Sequence, residues 1–422
     1  MQYLQKLGKH IEQQWRELGY RHERFADLAL TTLQSHAPHE QFSVDELVRW
    51  FCANRDVPPQ APDGVFGEPP IAVFESEHFY LEVLFWLDGT TAIHQHAFSG
   101  AFHVLGGSSI HTRYTFEEKE RLGPELLLGD LRARPPELLH KGATRQIHSG
   151  DGLIHSLFHL DRPSVTLVAR TRKDPGADLQ YSYFVPGIAH SPSHEKERYD
   201  RILRLFGVMR QSNSPHCMRT LSELVESGDL HTATMMILSW FRRVPPSTQD
   251  RDRLLALVAR RHATLARYLE PAIEEARRQA LIIDRRKTLH RPEHRFFLSL
   301  LLNIHGRERI LRLVEEQYPG RPAIDQIVDW VEQMATLPAS GDDATGAPNA
   351  LGYDFGEAEV RVFGELLAGG TVDEVIGRLA KIYDGVAEQA EELRGLCKSV
   401  QESVLFHNLL ALDAVERDST RG

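Results

Sequence analysis

Two closely spaced histidines and a third that is distant in sequence are the residues of this chain best suited to chemistry. His94 and His96 end the segment Gly89-Thr-Thr-Ala-Ile-His-Gln-His, and His155 ends Gly150-Asp-Gly-Leu-Ile-His. Side chains alternate across an extended strand, so His94 and His96 are expected on one face of a sheet. A third imidazole from a distant strand would complete a set of neutral nitrogen ligands, which suits Fe, Zn, Ni or Cu.

The third ligand of this predicted metal site has two candidates. His155 follows a Gly-Asp-Gly turn at the start of a strand and is the better placed, but His159 has the same strand parity and competes with it. His103 is expected to face inward, as a residue of the pocket. The alternative for the whole set is surface histidines, because the chain has 22 histidines and His-x-His can arise by chance. Three further histidines are expected on the surface or in loops: His111, His140 and His148.

The elements expected to position these histidines are short β-strands between about residues 70 and 188. The segments concerned are rich in β-branched and aromatic residues, and glycine-containing turns separate them. Many short strands of this kind are typical of a sandwich or jelly roll. The predicted strands are residues 71–74, 79–86, 101–105, 110–116, 153–159 and 164–169, with 181–185 as a candidate last strand.

Helical patterns precede and follow this β region. Apolar residues such as Leu7, Ile11 and Trp15 recur at helical spacing near the N-terminus, and similar patterns run from about residue 191 to the end. We therefore predict an α+β protein in which a central β-barrel lies between helical regions. The predicted parts are an N-terminal helical segment (1–56), a β-barrel metal domain (57–190) and a C-terminal helical domain (191–422) with a flexible loop at about 337–350.

Composition restricts the class of protein. With 422 residues, 41% hydrophobic and 26% charged, the chain reads as a soluble globular protein of several domains. Its net charge of −10 argues against a general nucleic-acid binder. Cys52, Cys217 and Cys397 are too few and too scattered for a disulfide framework or a cysteine zinc site. No segment reads as a signal peptide or a membrane span, so we expect a cytoplasmic protein with no membrane partner.

The segment that carries the histidine pair resembles the metal-binding segment of the cysteine dioxygenase-type cupins, the thiol dioxygenases. Leu81-Glu-Val-Leu-Phe-Trp-Leu-Asp-Gly-Thr-Thr-Ala-Ile-His-Gln-His is similar to the family's apolar strand ending in Trp, followed by glycine and Ser-Ile-His-x-His. Gly152-Leu-Ile-His and Arg162-Pro-Ser-Val-Thr-Leu are similar to its later Gly-x-His and Pro-Ala-Val-Ser-Leu segments. The resemblance covers roughly residues 75–185. It implies a cupin barrel with Fe(II) held by His94 and His96 together with His155.

The chain departs from this family in the expected substrate pocket. Many cupins carry a ligating glutamate five residues beyond the second histidine, but Ala101 stands there, so we expect three histidines without a carboxylate. The cysteine of the family's Cys–Tyr crosslink also falls on Ala101, and its tyrosine falls near Arg170. The usual histidine beside the metal is replaced by Val168, and no arginine lies in the strand before the Trp. The metal ligands are thus similar, whereas the cysteine pocket is not.

These features predict a non-haem Fe(II) cupin oxygenase that uses dioxygen to oxidise a small anionic or thiol-containing substrate other than free cysteine. His94, His96 and His155 are the predicted metal ligands. His103 and Arg170 are the candidate catalytic residues, for proton handling or anion recognition. The alternative for Arg170 is a position at the end of a strand with its side chain in solvent.

Two other classes of function stay open. One is a metal-dependent cupin enzyme with non-redox chemistry, in which Zn, Ni or Mn acts as a Lewis acid. The other is a ligand-sensing or protein-binding cupin without catalysis. In that class the C-terminal helices would contact a protein partner or form a homodimer.

Overall fold

The structure of the protein, a computed structural model, describes residues 1–60, 67–87, 92–177, 179–243, 247–338, 349–352, 355–382 and 389–410. Its internal contacts divide the chain into two compact units, Met1–Glu275 and Ala276–Gly422. The predicted division into three parts, with boundaries near residues 56 and 190, stays a prediction. The predicted glycine turn before His94 and most of the predicted flexible loop at 337–350 lie outside the described residues.

Four α-helices and a short 3-10 helix form the N-terminal segment. Leu7, Ile11 and Trp15 lie one turn apart and are buried, which gives the first helix an apolar face. The Ser43 hydroxyl accepts a hydrogen bond from the Glu46 backbone N–H and so caps the fourth helix. The elements are α1 (Gln2–Glu17), the 3-10 helix (His22–Arg24), α2 (Phe25–His36), α3 (Pro38–Gln41) and α4 (Val44–Ala53).

Twelve described strands follow and form two antiparallel sheets. They are β1 (Pro70–Glu75), β2 (Phe79–Trp86), β3 (Ile93–His96), β4 (Gly100–Gly106), β5 (Ser109–Gly123), β6 (Leu126–Ala133), β7 (Glu137–Leu139), β8 (Thr144–Ile147), β9 (Gly150–His159), β10 (Ser164–Thr171), β11 (Ser182–Phe184) and β12 (Ile188–His190). The first sheet has the strand order β1-β2-β10-β4-β8. The second has the order β6-β12-β11-β3-β9-β5-β7.

The long strand β5 closes the second sheet into a barrel. Residues 109–114 of β5 pair with β9, and residues 114–123 pair with β6. The ring of hydrogen-bonded strands therefore runs from β6 through β12, β11, β3, β9 and β5 back to β6. The predicted α+β fold, a central antiparallel β-barrel preceded and followed by helices, is confirmed.

Four strands, β6, β7, β8 and β12, form in segments where the sequence pattern predicts none. The predicted strand 110–116 also continues to Gly123, through a charged stretch that includes Glu117 and Lys119. Charged residues have low β propensity, so local composition hides this half of β5. Pairing with the apolar residues of β6 stabilises it instead.

Side-chain alternation gives the two faces of the first sheet different partners. Leu81 of β2 and Leu167 of β10 lie on one face of this sheet, in a buried cluster with Ile11 from the apolar face of α1. Leu84 and Val168, on the opposite face of the same two strands, belong to a second cluster between the sheets. The interior between the sheets is therefore the place where side chains from both can meet.

Five helices follow the last strand. Their apolar residues, for example Leu221, Met236 and Leu254, form one cluster with Leu128 of β6 and Ile188 of β12. The helices are α5 (Lys196–Gln211), α6 (Cys217–Ser227), α7 (Leu230–Arg243), α8 (Thr248–Arg261) and α9 (Ala263–Thr288).

The second unit is built from helices around buried aromatic residues. Phe363 and Phe406 are fully buried, and their ring centroids lie 4.6 Å apart. The helices of this unit are α10 (Pro292–Asn303), α11 (Arg307–Gln317), α12 (Ala323–Thr336), α13 (Glu357–Leu367), α14 (Val372–Ile382), α15 (Ala390–Gln401) and α16 (His407–Leu410). Among the residues that the structure describes, no helix is both long enough and apolar enough to cross a membrane.

The close approach of β4 to β10 depends on a glycine. A Cβ added at Gly100 would overlap the Ala169 carbonyl oxygen, whereas one added at Gly106, at the other end of β4, meets no atom within 4 Å. We expect Gly100→Ala to lower the free energy of unfolding by about 1–3 kcal/mol. The control Gly106→Ala should change it by less than about 0.5 kcal/mol. Urea unfolding followed by near-ultraviolet circular dichroism measures both, and equal midpoints would contradict this packing.

Candidate metal centre

Pairing between β3 and β9 brings the three predicted metal ligands together. His94 and His155 are direct partners across these strands, and their ring centroids lie 4.8 Å apart. The strand register is irregular between His94 and His96, and His96 Nε2 lies 3.0 Å from His155 Nε2. One ligand nitrogen from each of the three buried side chains lies within 4.8 Å of the others. The three histidines therefore form one group.

A backbone hydrogen bond sets which nitrogen of His94 can bind a metal. His94 Nδ1–H donates to the Ala92 carbonyl oxygen over 2.7 Å. In a neutral imidazole the other nitrogen then carries the lone pair, so Nε2 is the available ligand atom. The same hydrogen bond restricts rotation of the His94 ring, as the hydrogen-bond acceptors of metal-binding histidines usually do.

A chain of side chains fixes the ring of His155 in a similar way. Arg145 donates to both carboxylate oxygens of Glu137. The hydrogen bond from His111 lowers the pKa of Glu137 to about 2, so this carboxylate is charged at neutral pH. His111 Nδ1–H therefore donates to Glu137 over 2.8 Å, and His111 Nε2 accepts from His155 Nδ1–H over 3.1 Å. His155 Nε2 keeps its lone pair, directed toward His96.

Burial keeps all three imidazoles of the group neutral. His94, His96 and His155 are 5%, 6% and 2% exposed. Burial lowers the pKa of His94, and burial with the neighbouring imidazoles lowers the pKa of His96 and of His155 well below its usual value. A metal ion binds neutral imidazole, so no proton has to leave before an ion binds at neutral pH.

The donor set fits a divalent transition-metal ion. Imidazole nitrogens bind such ions at about 2.1 Å, so two of them at a right angle around one ion are about 3.0 Å apart. His96 Nε2 and His155 Nε2 are separated by 3.0 Å, a distance at which two lone pairs repel unless a cation or proton lies between them. Within the described residues the group includes no carboxylate. Three imidazoles suit iron, zinc or nickel.

A cavity of about 520 Å³ lies between the two sheets and is lined by the three histidines. Its walls are mostly aromatic and aliphatic, four basic side chains also line it, and Glu82 is the single carboxylate among the described lining residues. Such a lining is typical of a small-molecule site. The apolar residues include Leu84, Trp86, Phe98, Phe102, Ile147, Leu157, Val168 and Leu179, and the basic residues are Arg170, Arg172, Lys173 and Lys196.

Arg170 is held in this cavity by two aromatic rings and a carboxylate. Its guanidinium carbon lies 4.3 Å from the centre of the Tyr80 ring and 4.4 Å from that of Phe98. Its Nε donates to Glu82 Oε2 over 3.0 Å. The Phe98 ring also lies 4.5 Å from the ring of His96, so one aromatic ring is next to both the guanidinium and the three-histidine group. Arg170 faces the cavity, and the alternative of a strand end in solvent is wrong.

His103 and Ala101 lie on the face of β4 that points away from the cavity. Phe102 lines the cavity, and side chains alternate, so the predicted inward orientation of His103 is wrong. His103 instead contacts Thr144 Oγ1 at 2.7 Å and His39 Nδ1 at 2.9 Å. Ala101 belongs to the buried cluster with the N-terminal helices, so it does not lie beside the three histidines. The predicted catalytic role of His103 stays a prediction, and His103 is not among the described residues that line the cavity.

The structure places the competing third ligand, His159, outside the group. Its Nδ1 lies 3.0 Å from Ser109 Oγ, and its ring stacks on Trp86 at 4.4 Å. Burial lowers the pKa of His159 to about 3. His159 therefore supports the wall residue Trp86, while His155 joins the pair from β3.

His111 is the site residue that sequence reasoning missed. The prediction of a surface or loop position is wrong for His111, which is 1% exposed and contacts His155. His140 and His148 are exposed, as predicted. The position of His111 follows from the register of β5 against β9, in which His111 pairs with Leu157, and the sequence alone carries no signal for that register.

Comparison with known proteins gives distant likenesses in structure alone. No protein-family model matches the sequence, and no curated protein matches it. Hydroquinone 1,2-dioxygenase from Sphingomonas sp. TTNP3, solved with 4-hydroxybenzoate bound, is 14% identical, with 26% of this chain and 70% of that chain covered and a TM-score of 0.20. A cupin-2 domain containing protein from Shewanella frigidimarina is 13% identical, with 30% and 92% covered and a TM-score of 0.18.

A third similar structure is hydroxypropylphosphonic acid epoxidase from S. wedmorenis in complex with fosfomycin. It is 16% identical, with 40% of this chain and 97% of that chain covered and a TM-score of 0.17. Likenesses with TM-scores this low carry no conclusion about chemistry. The function of this chain therefore has to be inferred from the residues of its own cavity.

Glu137 and His111 are expected to raise the metal affinity of the three-histidine group without touching the ion. Glu137→Gln should weaken Fe(II) binding about 10- to 100-fold. The neutral amide holds His111 and His155 less firmly in the tautomers that keep the lone pair of His155 on Nε2. Anaerobic competition with a chelator measures this affinity. The control His148→Ala changes an exposed histidine and should bind as the wild type does. A Glu137→Gln protein that competes equally well would show that the chain does not act on the ligands.

Proposed function

We propose that the protein is an iron-dependent oxygenase, similar to thiol dioxygenases, that oxidises a small anionic or thiol-containing substrate other than free cysteine. The observation that carries the proposal is the convergence of His94, His96 and His155, all buried and neutral, on one cavity. Neutral ligands leave the double charge of the ion uncompensated, which favours an anionic co-ligand. Iron(II) held there would supply the site at which substrate and dioxygen react.

The basic side chains of the cavity provide the partner for an anionic substrate. Arg170 lies deepest, is half-buried, and presents a planar guanidinium suited to a carboxylate or a similar anion. Arg172, Lys173 and Lys196 are exposed and line the opening of the same cavity. In this proposal the exposed cations attract the substrate and Arg170 binds its anionic group.

The apolar walls provide the second part of substrate recognition. Trp86, Phe102 and Leu157 line the cavity next to the histidines, and a bound molecule would replace the water against them. Exclusion of water strengthens the interaction of Arg170 with an anion, because the effective dielectric constant falls. The substrate that fits best therefore has one anionic end and an apolar body.

The single acidic lining residue supports a substrate other than free cysteine. A free amino acid brings an ammonium group, which needs an anionic partner when it is buried. Within the described lining residues only Glu82 is acidic, and Glu82 already accepts a hydrogen bond from Arg170. An anion without an ammonium group suits this cavity better.

Anaerobic reconstitution with Fe(II) tests the proposal. We expect the reconstituted full-length protein to consume dioxygen when small thiols or apolar carboxylates are added, and His94→Ala to lose both that activity and one equivalent of iron. The exposed-histidine variant His140→Ala is the control. Oxygen electrode traces and metal analysis give the two measurements. Zinc or nickel bound at the group, with no oxygen uptake from the iron form with any compound of the panel, would refute the oxygenase and favour a non-redox metal enzyme.

Arg170 should control substrate affinity more than turnover. With a compound that supports oxygen uptake, Arg170→Gln is expected to raise KM at least tenfold, about 1.4 kcal/mol of binding, and Arg170→Lys to raise it less because the charge remains. Steady-state oxygen uptake measures KM and kcat separately. The control Arg132→Gln removes an exposed arginine outside the described cavity lining and should leave both unchanged. An unchanged KM in Arg170→Gln would remove Arg170 from the binding site.

A further inference from the structure

A second group of potential metal ligands lies in the first unit, away from the three-histidine group. His194, Asp229 and His231 each offer one ligand atom, and these atoms lie within 4.8 Å of one another. His194 stands between β12 and α5, Asp229 precedes α7, and His231 lies in the first turn of α7. Two separate segments of the chain thus place two imidazoles and a carboxylate together.

The buried histidine of this group has no partner that would explain its position. His231 is 4% exposed, and neither of its ring nitrogens makes a hydrogen bond with the described residues. The Ser191 backbone lies near this ring, but no hydrogen bond of normal geometry joins the two. A buried polar group without a partner destabilises the folded state, so proteins seldom keep one without a ligand or water.

The neighbours of His231 are further imidazoles, which cannot all satisfy one another. The ring of His194 stands edge-on to it with centroids 5.0 Å apart. The ring of His190, which is 6% exposed and whose Nδ1 also lacks a hydrogen bond, lies 5.8 Å away. Three imidazoles in such proximity resemble a ligand set more than an apolar core.

Asp229 completes the group with a side chain that is 41% exposed. Its Oδ1 accepts a hydrogen bond from the Thr232 backbone N–H over 2.7 Å and so caps α7. Its Oδ2 lies 3.9 Å from Arg198 Nη1, beyond hydrogen-bond distance. Arg198 donates instead to Glu195 over 2.9 Å. The cap and a metal ligand can therefore use different oxygens of one carboxylate.

We propose that His194, Asp229 and His231 bind a divalent transition-metal ion of the zinc class. Two imidazole nitrogens and one carboxylate oxygen are a donor set that zinc accepts, with water at the fourth position. This site is independent of the proposed oxygenase, because it shares no ligand with the three-histidine group.

The ion would join the segment after β12 to the start of α7. Pro192, Ser193 and Lys196, on either side of His194, line the cavity of the three-histidine group. Binding at His194 would therefore fix one edge of that cavity. The chemical class of the ligand is a borderline-soft divalent cation, and its role is to hold the cavity edge in place.

Metal content of four full-length proteins tests the site. Wild type, His194→Ala, Asp229→Asn and the control His216→Ala are loaded with zinc, freed of excess ion by gel filtration and measured by atomic emission. We expect His194→Ala to contain one zinc per chain fewer than wild type and His216→Ala. Asp229→Asn keeps the helix cap, since Asn caps as well as Asp, and should bind this zinc at least tenfold more weakly. The measured quantity is the difference in zinc content between wild type and variant, so it does not depend on whether the three-histidine group also binds zinc.

Thermal unfolding provides the second measurement. Zinc at 100 times its dissociation constant stabilises a folded protein by about 2.7 kcal/mol, so added zinc should raise the Tm of wild type more than that of His194→Ala. Equal zinc content in wild type and His194→Ala would overturn the proposal. So would a variant that is folded by circular dichroism and gains the same Tm shift from zinc as wild type.

Discussion

The antiparallel pairing of β3 with β9 is the constraint on which the candidate site depends. It sets His94 opposite His155, and directly opposed residues have Cβ atoms about 5 Å apart. A slip of one residue would turn His155 to the other face of the strand. Ile154 prevents such a slip, because it is buried with Tyr181 and Tyr183 on the opposite face. Apolar burial on one face of β9 therefore holds the imidazole on the other.

A second constraint is that buried polar groups between the two sheets must be paired. His155 is buried, yet its two ring nitrogens have different roles because the chain through His111 ends at a charged carboxylate. Glu137 can remain charged near the interior because Arg145 compensates it. The pairing reaches from a half-exposed ion pair to a fully buried ligand. The half-exposed ion pair thus sets which nitrogen of the buried His155 carries the proton.

The local sequence pattern predicted the three-histidine group, but it did not predict contacts between residues far apart along the chain. His94 and His96 follow from strand alternation, and His155 from its glycine turn. Side-chain alternation did not predict the orientation of Ala101 from that of His96, because the chain turns between β3 and β4 and the alternation is interrupted there. The ion pair of Arg170 with Glu82 joins residues 88 positions apart, and His111 meets His155 across 44. Such pairs require the sheet register, which a single sequence does not contain.

The charge of the cavity differs from that of the chain, and this difference shapes the proposed function. The chain carries a net charge of −10, but among the described residues four basic side chains and one acidic side chain line the cavity. Attraction of an anion is therefore a local property of this cavity. The guanidinium of Arg170 and the ring of His96 lie 4.4 Å and 4.5 Å from the same Phe98 ring. Because both groups lie close to one phenyl ring, we infer that a substrate only a few bonds long can reach from Arg170 to the three-histidine group.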